Sequence, residues 1–161
     1  MRNAHNNCKR ELLARAIATC ACTLESCSVL DVACGRGGDL NKLKGCLSYT
    51  GVDSSSGALH ELQRRANEIC MPVTVHCMDA TLLPAVACNL VGCNFALHYF
   101  CDTQAHLEAL LDMVSASLVC GGVFCGTYER TQGTVSWGVP FHAVIGDCVN
   151  ALEWRLSLIH I

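Results

Sequence analysis

The stretch Val29-Leu-Asp31-Val-Ala33-Cys-Gly35-Arg36-Gly37-Gly38-Asp39 runs an apolar strand straight into a turn rich in glycine. Glycine reaches positive φ without a Cβ penalty and lets backbone amides come close to a ligand. A second strand, Leu47-Ser-Tyr-Thr-Gly-Val-Asp53, ends on a carboxylate. In a strand–turn–helix unit, an acidic residue at that place can accept both hydroxyls of a ribose. Gly35 and Asp53 together point to an adenosine-containing cofactor at the topological switch point of a sheet. A dinucleotide pattern G-x-G-x-x-G counted from Gly35 needs glycine where Leu40 stands, which disfavours a nicotinamide cofactor. A tight loop with no ligand is the bland reading of Gly37 and Gly38, and it stays open here.

On either side of this unit, helices and strands alternate. Asn6 to Cys22 reads as a helix with Leu12, Leu13, Ala16 and Ile17 on one face. Ser28 to Ala33 is a short buried strand, and a short helix follows around Asp39 to Lys44. Ser54, Ser55 and Ser56 offer an N-cap for a helix running to about Ile69. Val73–Cys77 and Asn89–Leu97 read as the third and fourth strands, the latter wholly apolar at its centre. A helix over Thr103–Leu118 presents Leu107, Leu110, Leu111, Val114 and Leu118, and Gly121–Thr127 forms a fifth strand. Continuous apolar strands alternating with helices imply a parallel sheet covered on both faces. The expected fold is a doubly wound, mostly parallel α/β domain.

The chain has 161 residues, 52% hydrophobic and 16% charged, which suits one domain with a buried core and excludes a disordered chain. No apolar run approaches the ~20 residues of a membrane span, and Met1-Arg-Asn-Ala-His5 carries no signal core. A soluble, intracellular protein is expected. The 14 cysteines include one C-x-C, Cys20 and Cys22, but no C-x-x-C pair. Most sit in apolar runs, as in Val-Ala-Cys34, Val-Ala-Cys88 and Val-Phe-Cys125, where a free thiol packs as a small hydrophobe. Reduced core cysteines with no metal are expected; a metal site or some disulfides are the other reading. Of the 11 Lys and Arg residues, only Arg130 and Arg155 lie beyond position 80. Solvated helix faces or a local phosphate-binding edge both fit that bias; a broad nucleic-acid surface, and hence DNA binding, does not.

The sequence Ala33-x-Gly35-x-Gly37-Gly38-Asp39 resembles motif I of the S-adenosylmethionine methyltransferases. Further segments sharpen this to a resemblance to the mRNA cap guanine-N7 methyltransferases, cellular or viral. That family's Gly-Cys-Gly-Lys-Gly-Gly-Asp-Leu is matched by Ala33-Cys-Gly35-Arg36-Gly-Gly38-Asp39-Leu40. Its Gly-x-Asp and later Arg are matched by Gly51-Val-Asp53 and Arg65, and its Phe-x-x-His-Tyr by Phe95-Ala-Leu-His98-Tyr99. Leu118-Val-Cys-Gly121-Gly122-Val-Phe124-Cys-Gly126-Thr127 and the earlier Asn6-Asn-Cys-Lys9 are similar to two more of its segments. Trp137-Gly-Val-Pro-Phe141 and Glu153-Trp154 resemble its last ones. The resemblance implies a Rossmann-like methyltransferase domain over residues 1–154. Residues 155–161 read as a truncated or non-native tail, and the sheet is expected to be short of its C-terminal strands.

The resemblance also implies roles. Lys9 would pair with the methionine carboxylate of S-adenosylmethionine, and Asp39 would lie beside its amino group. Ala33 and Gly35 would present backbone to the cofactor, Asp53 would hold the ribose, and Asp79 would sit by the adenine. Phe95, His98 and Tyr99 would line the cap guanine, with Glu153 accepting from its N1 and N2 hydrogens. Arg36 and Arg65 would stand near the cap phosphates. The implied partners are the 5′ cap of mRNA (GpppN) and a capping enzyme, and the implied place is the nucleus, the cytoplasm or a viral factory. Bland readings stand beside these: His98 as a core histidine, Asp79 as a turn cap, and Arg36, Arg65 and Lys9 as surface cations. Ala33 departs from the family's glycine, and no aromatic residue stands between Asn6 and Lys9. The alternatives for function are a methyltransferase for another substrate and an inactive truncated module that only binds cofactor.

Overall fold

The computed structural model describes residues 2–127. Its elements are α1 (Arg2–Thr19), β1 (Ser28–Val32), α2 (Leu40–Leu43), β2 (Ser48–Asp53), α3 (Ser56–Glu68), β3 (Thr74–Cys77), β4 (Cys88–Asn94), α4 (Gln104–Ser117) and β5 (Leu118–Thr127). Three 3₁₀ turns, Leu24–Ser26, Ala80–Leu82 and Leu97–Phe100, join them. The strands form one parallel sheet in the order β3-β2-β1-β4-β5. The chain moves outward from β1 to β3 on one side and then returns to place β4 on the other side of β1. The switch point therefore lies between β1 and β4, at their C-terminal ends, where a doubly wound sheet leaves a crevice.

The centre of the sheet is dry on both faces. Val29 and Leu90 join Leu13, Ala16, Leu59, Leu62 and Ala66, which come from α1 and α3. Leu30, Val32, Val52 and Val91 point the other way, against Leu110, Met113 and Val114 of α4 and Phe100. This two-sided burial is what continuous apolar strands require. Two helix starts carry side-chain caps: Ser55 accepts from Ala58 N at 3.3 Å and Thr103 from His106 N at 3.1 Å.

The structure corrects several boundaries. Helix α1 begins at Arg2 and ends at Thr19, earlier at both ends than the expected Asn6–Cys22. Strand β4 stops at Asn94, because Phe95 adopts φ +58 and turns the chain out of the sheet. Leu97, expected as the last residue of the strand, sits with His98 and Tyr99 in the Leu97–Phe100 turn. On α4 the buried positions are Leu110, Met113, Val114 and Ser117, whereas Leu107 and Leu111 are half-buried. Apolar spacing alone placed Leu107 in the stripe, but the first turn of α4 lies at the rim of the sheet.

Cys27, Cys34, Cys88 and Cys93 are buried, and the cysteines from Cys20 to Cys125 are free thiols. Burial pushes Cys27 and Cys88 up to about 12, far from thiolate chemistry. Among the described residues, no group of His, Cys, Asp and Glu is arranged to hold a metal ion, and no helix is long and apolar enough to cross a membrane.

Candidate cofactor site

Three conformational facts shape the turn after β1. Gly37 has φ +71, and a Cβ there would lie 2.6 Å from Leu40 Cδ1 and 3.0 Å from Leu62 Cγ, so a side chain at this position would be strained and would push on the leucines of α2 and α3. Gly35 has φ +54 and a Cβ there would meet nothing within 4 Å, so the turn faces open space on its outer side. Ala33 also sits at positive φ, +52, where the resembling family carries glycine. A non-glycine residue in this region is strained by roughly 1–2 kcal/mol, and such strain gathers at ligand sites.

Asp53 closes the unit from β2. Its Oδ2 accepts from Gly35 N at 2.8 Å and its Oδ1 from Ser55 N at 2.8 Å. Two backbone amides thus fix the carboxylate while leaving a further lone pair on each oxygen. A vicinal diol is the group that such a fixed, half-exposed carboxylate accepts best.

A second cluster stands at the switch point itself. Asp39, only 6% exposed, accepts from Lys9 Nζ at 2.7 Å, Lys42 Nζ at 2.8 Å and Asn94 Nδ2 at 3.1 Å. Thr127 donates in turn to Asn94 Oδ1 at 3.3 Å. Burial pushes the Asp39 carboxyl up, but the hydrogen bonds from Lys42 and Lys9 outweigh it and hold the group below the usual carboxylate range. Lys42 is further bonded to Gly38 O at 3.0 Å. Lys9 lies 5.5 Å above the Phe95 ring. One buried carboxylate and two buried ammonium groups leave one positive charge, which suits a zwitterion with an exposed carboxylate. Beneath the turn, Tyr49 OH donates to Asp31 Oδ2 at 2.7 Å. Complete burial pushes the Asp31 carboxyl up to about 7, against the pull of that hydrogen bond.

The structure therefore brings Lys9, Asp39 and Phe95 together, and Gly35 with Asp53. Asp79 stands apart at the end of β3, where its Oδ1 accepts from Thr81 N at 2.9 Å. His98 and Tyr99 are exposed, their ring centroids 4.0 Å apart. Arg36 is exposed beside Gly35, and Arg65 donates to Glu61 within α3 at 2.7 Å. Glu153, Trp137, Phe141 and Trp154 lie outside the described residues. Lys42 and Asn94 were not singled out in the sequence. Their signals, a lysine three residues after Asp39 and an amide at the end of an apolar strand, mean little until the fold places them. A cavity of about 360 Å³ lined by Lys44–Tyr49 and Cys70–Thr74 opens at the N-terminal ends of β2 and β3, away from this site.

Fold and site together define a doubly wound domain of the methyltransferase type, built to hold a nucleoside cofactor. It shares its fold with the N-methyltransferase NodS of Bradyrhizobium japonicum, solved in complex with S-adenosyl-L-homocysteine (TM-score 0.64, 19% identity, 78% of this chain and 60% of that one). The model of the mRNA (guanine-N(7))-methyltransferase domain matches residues 1–136, and the chain belongs to that family. It is 35% identical over 117 residues to mRNA cap guanine-N(7) methyltransferase 1 of Oryza sativa subsp. japonica, covering 62% of this chain and 32% of that protein. It is 30% identical over 163 residues to the mRNA cap guanine-N(7) methyltransferase of Candida albicans, covering 82% and 34%. The chain thus spans about a third of the length of the curated relatives it matches.

Proposed function

We propose that this domain moves a methyl group from S-adenosylmethionine to N7 of the guanine in the 5′ cap of mRNA. The observation that carries the reading is Asp53, fixed by Gly35 N and Ser55 N beneath open space over Gly35, in a chain of the cap methyltransferase family. The residues present fit the cofactor: Asp53 for the ribose, Lys9 for the methionine carboxylate and Asp39 for its amino group. Ala33 and Gly35 offer backbone beside the sulfonium, and Asp79 takes the adenine.

When bound, the cofactor supplies a methyl group activated on a sulfonium. Guanine N7 already carries a lone pair, so no residue has to remove a proton, and none is assigned as acid or base. The chain's own work is alignment. Phe95, His98, Tyr99 and Glu153 hold the guanine so that N7 approaches in line. Proximity and orientation of this kind contribute roughly 7–11 kcal/mol in well-organised cases. Glu153 accepts from the N1 and N2 hydrogens and favours the positive charge that grows on the ring. Arg36 and Arg65 serve the cap phosphates, Arg65 by exchanging Glu61 for phosphate. A capping enzyme is the natural partner, and the place of action is where capped RNA is made: the nucleus, the cytoplasm or a viral factory.

The test is methyl transfer to GpppRNA. His98→Ala and Tyr99→Ala should abolish it while changing cofactor affinity by less than about threefold, roughly 0.7 kcal/mol. If capped and uncapped RNA compete equally poorly, the cap assignment fails and a different methyl acceptor takes its place.

A further inference from the structure

His106 lies in the first turn of α4, between the end of β3 and the turn that carries His98 and Tyr99. Its Nδ1 stands 2.7 Å from Asp102 Oδ1, and its Nε2 stands 3.6 Å from Asp79 Oδ2. Its ring meets buried Phe100 edge-on, with centroids 5.4 Å apart. Asp79 uses its other oxygen locally: Oδ1 accepts from both Thr81 N at 2.9 Å and Thr81 Oγ1 at 2.8 Å. Oδ2 is therefore the oxygen left for a ligand. At 3.6 Å the imidazole is too far to occupy it with a hydrogen bond, yet close enough to hold the carboxylate by charge. Among the described residues, the charged groups facing His106 are Asp79, from the turn after β3, and Asp102, from the loop before α4.

We propose that His106 is a positioning residue for the cofactor's adenine: it holds Asp79 with Oδ2 turned toward the exocyclic amine, and it ties that carboxylate to the substrate turn through Phe100. The proposal rests on the reading of Asp79 as the adenine-side residue. The hydrogen bond to Asp102, with the charges of Asp102 and Asp79, keeps the imidazole protonated to higher pH than usual. Protonated, the ring faces a carboxylate with a donor at each nitrogen. Neutral, with its remaining hydrogen on Nδ1 toward Asp102, it turns a lone pair on Asp79 and the hold is lost. Asp79 then keeps only its Thr81 hydrogen bonds through Oδ1, and Oδ2 loses the charge that orients it toward adenine.

The experiment is calorimetric titration of the full chain with S-adenosylhomocysteine, and with its inosine analogue, which carries a carbonyl in place of the amine. Titrations run from about pH 6 to about pH 8.5, the range in which histidine changes charge. Wild type should lose about three- to fivefold in affinity for the adenosine ligand as pH rises, the most a partly exposed ion pair provides. His106→Gln should bind at the weaker level throughout, with no pH response. Asp102→Asn should move the midpoint of the response to lower pH, and the inosine analogue should be indifferent to both variants. Thermal melts of each variant check that the fold is intact. Equal pH response in wild type and His106→Gln, or equal weakening of both ligands, would overturn the role of His106 alone. Failure of wild type to bind S-adenosylhomocysteine at any pH would overturn the cofactor reading beneath it as well.

Discussion

Asp39 and Tyr99 both stand beyond the C-terminal ends of the same sheet, yet they are held in opposite ways. Asp39 is 6% exposed and takes hydrogen bonds from Lys9, Lys42 and Asn94, which come from α1, α2 and β4. Tyr99 is 68% exposed, and its described ring contact is its sequence neighbour His98. The half assigned to the cofactor is thus held together by hydrogen bonds from three segments of the fold. The half assigned to substrate is a short turn with its aromatic face toward water. Pre-organisation lowers the cost of binding, so cofactor binding should survive damage to the substrate turn, whereas damage to Asp39 should reach the fold itself.

Asp39→Ala tests the contrast most severely. It leaves Lys9 and Lys42 charged, buried and without their shared carboxylate, and should cost about 3–5 kcal/mol of stability. Urea unfolding would measure it, and a loss under about 1 kcal/mol would mean that the cluster behaves as a surface pair. The next effect comes from below the turn. The Asp31 carboxyl is pushed up to about 7 in the fold, above its unfolded value. The neutral form is the one favoured by burial, so its contribution is full at acid pH and fades as pH rises from about 4 to about 7. Asp31→Asn should flatten that fall, a change on the order of a few kcal/mol across the window, in stability measured against pH.

Asp53→Ala should weaken binding of S-adenosylhomocysteine by about 1.5–3 kcal/mol, the range for hydrogen bonds to charged groups. Calorimetry would show it; binding of NAD with no response to the methyl donor would break the cofactor assignment. Ala33→Gly should stabilise the fold by about 0.5–1 kcal/mol, because removing the Cβ strain at φ +52 exceeds the entropy cost of glycine. Thermal unfolding checks the sign. Tyr99→Ala should change stability by less than about 0.5 kcal/mol, as exposed substitutions do. A larger loss would show that the turn is part of the core and not a free substrate lip.

Much of this was legible in the residues themselves. The apolar strand Val29–Val32, the glycines at 35 and 37 and the acid at 53 are local signals, because a parallel strand buried on both faces must be apolar along its whole length and a tight turn must tolerate positive φ. The serines at 54 to 56 announced the start of α3 for the same local reason. What required the tertiary structure is where distant groups meet. That Lys9, 30 positions before Asp39, and Asn94, 55 positions after it, share one buried carboxylate depends on the order of strands across the sheet. The end of β4 was likewise invisible, since Phe95 and Leu97 suit a strand; Phe95 N still donates to Thr127 O of β5, and it is the φ of +58 at Phe95 that turns the chain away. Sequence periodicity reports which face of an element is apolar; it carries no distance between elements. For that reason Asp79 was visible as an acid at a strand end, while His106, its neighbour across the loop, became visible only when α4 packed beside it.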